Sequence, residues 1–153
     1  PMMRRREVAA LALSASTLVG IAVHEGYRAL AYDDGVGVQT IGFGTTQGVK
    51  PGDRITPERA LIRLAADADA YQAAMRRCVA VPLHQYEWDA YVSLTYNIGA
   101  GAFCGSTLVR RLNASDYAGA CAEISRWIRA GGRVLPGLVK RRADERAQCE
   151  GRI

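Results

Sequence analysis

The chain has 153 residues, enough for one domain with a real core, and 49% hydrophobic against 23% charged residues marks an ordinary globular protein. The net charge of +5 is carried almost wholly by arginine, Lys50 and Lys140 being the only lysines, and it favours a polyanionic partner: nucleic acid, anionic lipid or bacterial wall polymer. No arginine block is interleaved with aromatics and no finger or recognition-helix motif stands out, so no nucleic-acid partner is expected.

In chain order, Pro1 precedes two methionines, which places the expected translation start at Met2 or Met3. "RRRE" follows, then "VAALALSASTLVGIAV" at 8–23, without a charge. A basic stretch before an apolar one is the layout of an export signal. The run is rich in Ala, Ser, Thr and Gly, and as a helix it would reach roughly 24 Å, short of a comfortable membrane span. The plain alternative is a buried N-terminal helix. The run leads straight into His24-Glu25, then "YRALAYDDGVGVQTIGFGTT", whose alternating, Gly-rich part predicts a hairpin or small three-stranded sheet. Thr56 and Pro57 read as cap and first position of a long helix over 57–77, with Leu61, Leu64, Ala65, Ala68 and Met75 at helical spacing. "LHQYEWDAYVSLTYNIGAG" predicts a helix stopped by Gly99 and Gly101, and Ser106 opens a short one. "SDYAGACAEISRWIRAGG" predicts a helix from a Ser115 cap to a Gly131 stop, and a last helix starts near Pro136.

Cys78, Cys104, Cys121 and Cys149 lack CxxC spacing, and His24 and His84 are the only histidines, so no metal and no cofactor are expected. An even count fits two disulfides in an exported chain or four buried thiols in a cytosolic one.

Glu25 and Asp34 are two carboxylates in unlike settings. A carboxyl at the end of an apolar helix tends to keep its proton when partly buried, whereas one in a polar turn stays ionised. That division suits glycoside hydrolysis, with one group protonating the leaving oxygen and the other managing water. Thr40, on a strand, offers a hydroxyl that can hold the water. On spacing alone, a helix-end Glu, a turn Asp and a strand Thr with no shared purpose is the commoner reading.

Residue identity changes the balance. Glu25-Gly26, Tyr32-Asp33-Asp34 and Thr40-Ile41-Gly42-Phe43-Gly44 closely resemble the catalytic segment of phage-type lysozymes, glycoside hydrolase family 24. "ITPERA" at 55–60, "YNIGAGAF" at 96–103, "STLVRRLN" at 106–113, "SRW" at 125–127 and "PGLVKRR" at 136–142 extend the resemblance over nearly everything after residue 23. The resemblance implies an α+β, lysozyme-like fold, with a small antiparallel β lobe and a larger helical lobe joined by a long helix. As a single lysozyme domain over 1–153 it divides into an N-terminal export or arrest helix at 1–23, a catalytic β lobe at 24–56, a connecting helix at 57–77 and a helical lobe at 78–153.

The implied activity is that of an endolysin cutting peptidoglycan between N-acetylmuramic acid and N-acetylglucosamine, by inversion, as a monomer. Glu25 is the implied general acid, while Asp34 and Thr40 act on the attacking water; Asp33 fits the family interval less well. After Gly44, where such enzymes often carry histidine, stands Thr45, which leaves histidine-dependent positioning of Asp34 open. Tyr96, Asn97 and Phe103 resemble cleft residues, and Thr46 is a similar candidate for substrate binding; core packing is the alternative for Tyr96 and Phe103. Arg126 and Arg141 are expected either beside a cleft acid or, more commonly, on helix surfaces.

Some members of the family carry an uncleaved, weakly hydrophobic N-terminal segment that arrests in the membrane and is later released. Residues 8–23 have that character, implying transient contact with the host inner membrane and export machinery, then a periplasmic enzyme. In this family the helices bearing Cys121 and Cys149 pack together, which implies Cys121–Cys149 and leaves Cys78–Cys104. Two rivals remain. A non-catalytic wall-binding or membrane-tethered module need not keep Glu25, Asp34 and Thr40, and a lytic transglycosylase needs no water-holding pair.

Overall fold

The computed structural model describes residues 3–153, which form two compact units: one of the chain up to Thr17 together with Tyr71–Ile153, the other of Leu18–Ala70. The smaller unit begins within helix α1 (Ala15–Glu25), continues through strands β1 (Arg28–Asp33) and β2 (Gln39–Gly42), and ends within helix α2 (Pro57–Cys78). β1 and β2 are antiparallel, with Tyr32 opposite Thr40 and Asp33 opposite Gln39, and the register is irregular between Arg28 and Tyr32. Short bridges from Leu30 to Arg54 and from Ile41 to Thr45 extend the sheet at both margins. Ile41 is buried, as are Ala60, Leu64 and Ala68, one turn apart along α2. Gly42 has φ +64°, and a Cβ there would lie 3.0 Å from the Ala60 Cβ. Glycine is therefore what lets β2 end against the helix.

In the larger unit, α3 (Gln85–Ile98) is buried continuously from Glu87 to Tyr96. A helix buried on all sides is a central one; Trp88, Tyr91 and Leu94 supply its fully buried bulk, among buried polar groups such as Glu87 and Asp89. Against α3 pack α4 (Ala100–Cys104) and α7 (Pro136–Cys149), while α5 (Thr107–Asn113) packs on α6 (Tyr117–Glu123). Ser106 caps α5 by accepting from the Val109 amide at 3.2 Å, as expected. Two disulfides close this unit, Cys78–Cys104 and Cys121–Cys149, with Cα separations of 5.6 and 5.7 Å. Both implied pairings are present.

Two expectations are corrected. The helix expected from Ser115 to Gly131 is instead α6, a 3₁₀ turn at Ile124–Arg126, and a hairpin of β3 (Arg129–Ala130) with β4 (Arg133–Val134). Ser115 has φ +63°, and the cap is Asp116, whose Oδ1 accepts from the Gly119 amide at 2.9 Å. Gly131 and Gly132 both have positive φ, the requirement of a tight two-residue hairpin turn rather than of a helix stop.

The charge-free run is also no single helix. Val8–Ala10 is a 3₁₀ turn, 11–14 is irregular, and α1 begins only at Ala15. Polar groups of the larger unit hold this part of the chain. Arg6 and Leu83 exchange two backbone bonds of 2.8 Å, and Arg5 forks onto Glu87 at 2.9 and 3.0 Å. Leu11 is fully buried and its carbonyl accepts from Arg76. The Ala12 carbonyl accepts from Gln85, the Leu13 amide donates to Gln72, and Ser14 donates both its amide and its hydroxyl to Asp89. No helix among the described residues is long and apolar enough to cross a membrane.

Candidate active site

Glu25, Asp34, Thr40 and Thr46 all belong to the smaller unit. Glu25 is the last residue of α1 and half-buried. The helix stops there because Gly26, at φ +72°, turns the chain while its amide still bonds to the Ala22 carbonyl at 2.9 Å. The next residue, Tyr27, anchors the chain's exit: its hydroxyl donates to the Ile55 carbonyl at 2.7 Å and its ring packs against Phe43 at 5.6 Å. The backbone is thus fixed on both sides of Glu25.

Asp34 follows the end of β1 and is exposed. Its amide donates to the Val38 carbonyl at 3.0 Å, while its Oδ1 accepts from the amides of Val36 and Val38 at 2.9 and 3.2 Å. Among the described residues its Oδ2 is left without a hydrogen bond. Asp33 makes a parallel set of bonds to Gly35 and Gly37. The two carboxylates thus tie the turn from inside, aided by positive φ at Gly35 and Gly37. Thr40 is buried on β2, and its hydroxyl makes one long bond, 3.4 Å, to the Val38 carbonyl. Asp34 and Thr40 therefore flank one residue: the carboxylate accepts from the amide of Val38 and the hydroxyl faces its carbonyl.

Thr45, the departure from the family pattern, is 1% exposed and does not bond to Asp34. It exchanges two backbone bonds with Ile41, of 2.9 and 3.0 Å, and its hydroxyl donates to Asp67 on α2 at 2.7 Å. Thr46, next in the chain, is exposed.

The other three candidates for substrate binding lie in the larger unit. Tyr96 is 8% exposed, with its ring edge on Tyr71 at 5.4 Å. Asn97 is exposed, and its Oδ1 accepts from Arg142 at 2.8 Å. Phe103 is fully buried against Tyr91, at 5.8 Å between ring centres. It offers no face to a sugar, so the cleft assignment for Phe103 is replaced by a core one. Arg126 is a surface residue paired with Glu123 at 2.8 Å. Arg141 is the opposite: 6% exposed, in a buried group where Glu145 faces Arg141 at 3.4 Å and Arg142 at 2.6 Å, and accepts from Ser93 at 2.5 Å. The sequence offered Arg141 an acid partner or, more commonly, a helix surface, and did not single out Arg142 or Glu145, because Arg and Glu three and four apart on a helix usually mark a solvated face. Arg28, whose guanidinium lies 4.4 Å from the ring centre of Tyr32 opposite Thr40, was missed too.

Comparison with known proteins adds independent findings. The family described as phage lysozyme matches residues 22–145. The chain is 43% identical over 142 residues to the endolysin of Acyrthosiphon pisum secondary endosymbiont phage 1, covering 90% of this chain and 97% of that protein. It is 32% identical over 158 aligned residues to the SAR-endolysin of bacteriophage PS119, covering 97% and 95%. Among solved structures it resembles the endolysin from Escherichia coli O157:H7 phage FAHEc1, with a TM-score of 0.83 and 36% identity over 94% of this chain and 96% of the other.

Proposed function

We propose, since this chain belongs to the phage lysozyme family, that its activity as a phage endolysin is carried by Glu25, Asp34 and Thr40 acting on peptidoglycan. Glu25 gives its proton to the oxygen between N-acetylmuramic acid and N-acetylglucosamine as that bond breaks. The free Oδ2 of Asp34 and the hydroxyl of Thr40 hold the water that attacks the anomeric carbon from the opposite face, with inversion. The observation that supports this most is the arrangement about Val38, which presents a carboxylate oxygen and a hydroxyl from one hairpin, both short of partners. A lone turn carboxylate would have no use for that hydroxyl.

Glu25→Gln should lower the rate of wall hydrolysis by about 10²–10⁴-fold while leaving the fold intact, the usual weight of a proton donor. Thr40→Val should cost about tenfold or more, the equivalent of one good hydrogen bond in the transition state. Turbidity of chloroform-treated Gram-negative cells reads both rates, and near wild-type lysis by Glu25→Gln removes the assignment. Freshly released sugar followed by NMR distinguishes the chemistry: an α-anomer supports inversion, a β-anomer retention, and a 1,6-anhydro product a transglycosylase.

The N-terminal run supports a membrane stage. Relatives named SAR-endolysins align with nearly the whole chain, and residues 8–23 carry no charge. In this reading the segment first tethers the enzyme to the host inner membrane and later releases it, uncleaved, into the periplasm. Residues 1–24 fused to a reporter active only in the periplasm should export it with no loss of mass. Cytosolic retention of the reporter would favour a purely structural N-terminus.

A further inference from the structure

The larger unit carries a concavity of about 920 Å³ whose walls include Arg4, Arg5, His84, Tyr86 and Tyr117. A second, of about 390 Å³, shares Arg5, Tyr86 and Tyr117 with it and is floored by the Cys121–Cys149 disulfide. Together they form an open groove, contained within one unit, that no step of the hydrolysis uses.

Its charges are unevenly matched. Arg5 is committed: it forks onto buried Glu87, and its guanidinium lies 3.5 Å from the centre of the Tyr117 ring. Glu150, on the second concavity, is taken by Arg146 at 2.6 Å and Arg152 at 2.9 Å, which hold its carboxyl below the usual range. Glu7 is near enough to act on the Tyr117 hydroxyl but pairs with no cation among the described residues. Arg4 is exposed and likewise has no hydrogen bond or acid partner among the described residues. The rings are fixed: His84 stacks on Tyr86 at 4.9 Å, and the Tyr117 hydroxyl donates to the Pro82 carbonyl at 2.8 Å. A fixed aromatic wall with one unpaired cation, Arg4, and one unpaired acid, Glu7, near it suits an extended organic chain that bears a carboxylate for the first and an ammonium for the second.

We propose that this groove is a second wall-binding site, taking the carboxylate-bearing stem peptide of peptidoglycan. The inference rests on the peptidoglycan reading above. In that polymer the glycan backbone is neutral once its lactyl groups are amide-linked to peptide, so free carboxylates lie on the peptides. A groove also fits a chain better than a bilayer: of the large apolar side chains at its walls only Met3 is strongly exposed, at 72%. Holding a peptide here would keep the enzyme on the wall between cuts.

The test uses the full chain carrying Glu25→Gln, so that ligand is not consumed. A soluble disaccharide bearing its stem peptide is titrated in, with the ring resonances of His84, Tyr86 and Tyr117 followed by NMR. Those resonances should shift saturably, and Arg4→Glu should weaken the apparent Kd at least fivefold with no change in Tm. Arg4→Ala should do the same to a smaller extent. Equal shifts with the peptide-free disaccharide, equal affinity for inorganic phosphate, or tighter binding to phosphatidylglycerol vesicles would each overturn the proposal, the last in favour of a membrane site. Wall hydrolysis by the unsubstituted enzyme is measured separately. Hydrolysis without an Arg4-dependent shift removes this site and leaves the catalytic reading standing, whereas an Arg4-dependent shift without hydrolysis does the reverse.

Discussion

Thr45 stands at a position that the sequence singles out only as a departure from a family pattern. Its structural partner, Asp67, lies on another element, so nothing local in the chain announces the bond. The hydroxyl is buried and donates to that carboxylate at 2.7 Å. Thr45→Val keeps the shape and removes the donor, which should cost about 1–3 kcal/mol. Thermal unfolding should show it as a fall in Tm, and Thr45→Ser should recover most of the loss. An unchanged Tm for Thr45→Val would mean that water replaces the bond at no cost. Tyr91 yields a pH prediction. Burial, then the nearby Glu87 charge, pushes its phenol well above the ordinary value of 10.0. A pKa raised by folding contributes stability that is fully present below the unfolded value and is lost as pH rises through the folded one. Stability should therefore decline above about pH 10, and Tyr91→Phe should flatten that decline in alkaline urea titrations.

At the level of elements, what was legible depended on whether local signals agreed. The sequence places both ends of α2, the stop of α3 and the starts of α5 and α7 nearly to the residue, because those ends carry their own chemistry: Pro57, the glycines at 99 and 101, Ser106 and Pro136. The stretch after Ser115 offered competing signals. Ser115 and Asp116 are both good caps, and a Gly-Gly pair ends helices as readily as it turns hairpins. The outcome depends on tertiary contacts, so the extra length given to α6 could not be corrected locally. Glu25, Asp34 and Thr40 were proposed as a set through residue identity, whereas the bonds of Asp34 and Thr40 to Val38 needed the folded hairpin. The disulfide pairing was legible through the resemblance alone, since four cysteines allow three pairings. Cys121–Cys149 joins α6 to α7 across a separation of 28 residues. Replacing both cysteines by alanine should destabilise the protein by roughly 3–4 kcal/mol if loop closure dominates, read as a lower urea midpoint with a steeper slope, because the uncrosslinked unfolded chain exposes more surface. Non-reducing peptide mapping of the parent protein should show these two linkages and no others.

On the scale of the whole molecule, residues 5–14 are held by a set of groups that would otherwise be costly to bury. Glu87 and Asp89 are 2% and 4% exposed, and their partners are Arg5 and Ser14. Leu11 fills the same core. If the segment over 8–23 also resides in a membrane, the two placements exclude each other, because one buries Leu11 in protein beside an irregular backbone and the other needs a continuous helix. Partition is then set by a difference between two large terms, and changes on either side should move it. Inserting two leucines within 8–23 favours the bilayer by about 0.8 kcal/mol for each buried CH₂. Asp89→Ala weakens the folded side instead, by removing both acceptors of Ser14. Both changes should raise the membrane-bound fraction after cell fractionation and delay lysis. Ser14→Ala, which deletes one of the two bonds, should fall between Asp89→Ala and the parent. Because Asp89→Ala lies in the larger unit and leaves the sequence of the segment untouched, a matching shift there separates competition for the segment from a simple change in its hydrophobicity. A membrane fraction that responds to the leucines but not to Asp89→Ala would show that release is governed by the bilayer alone.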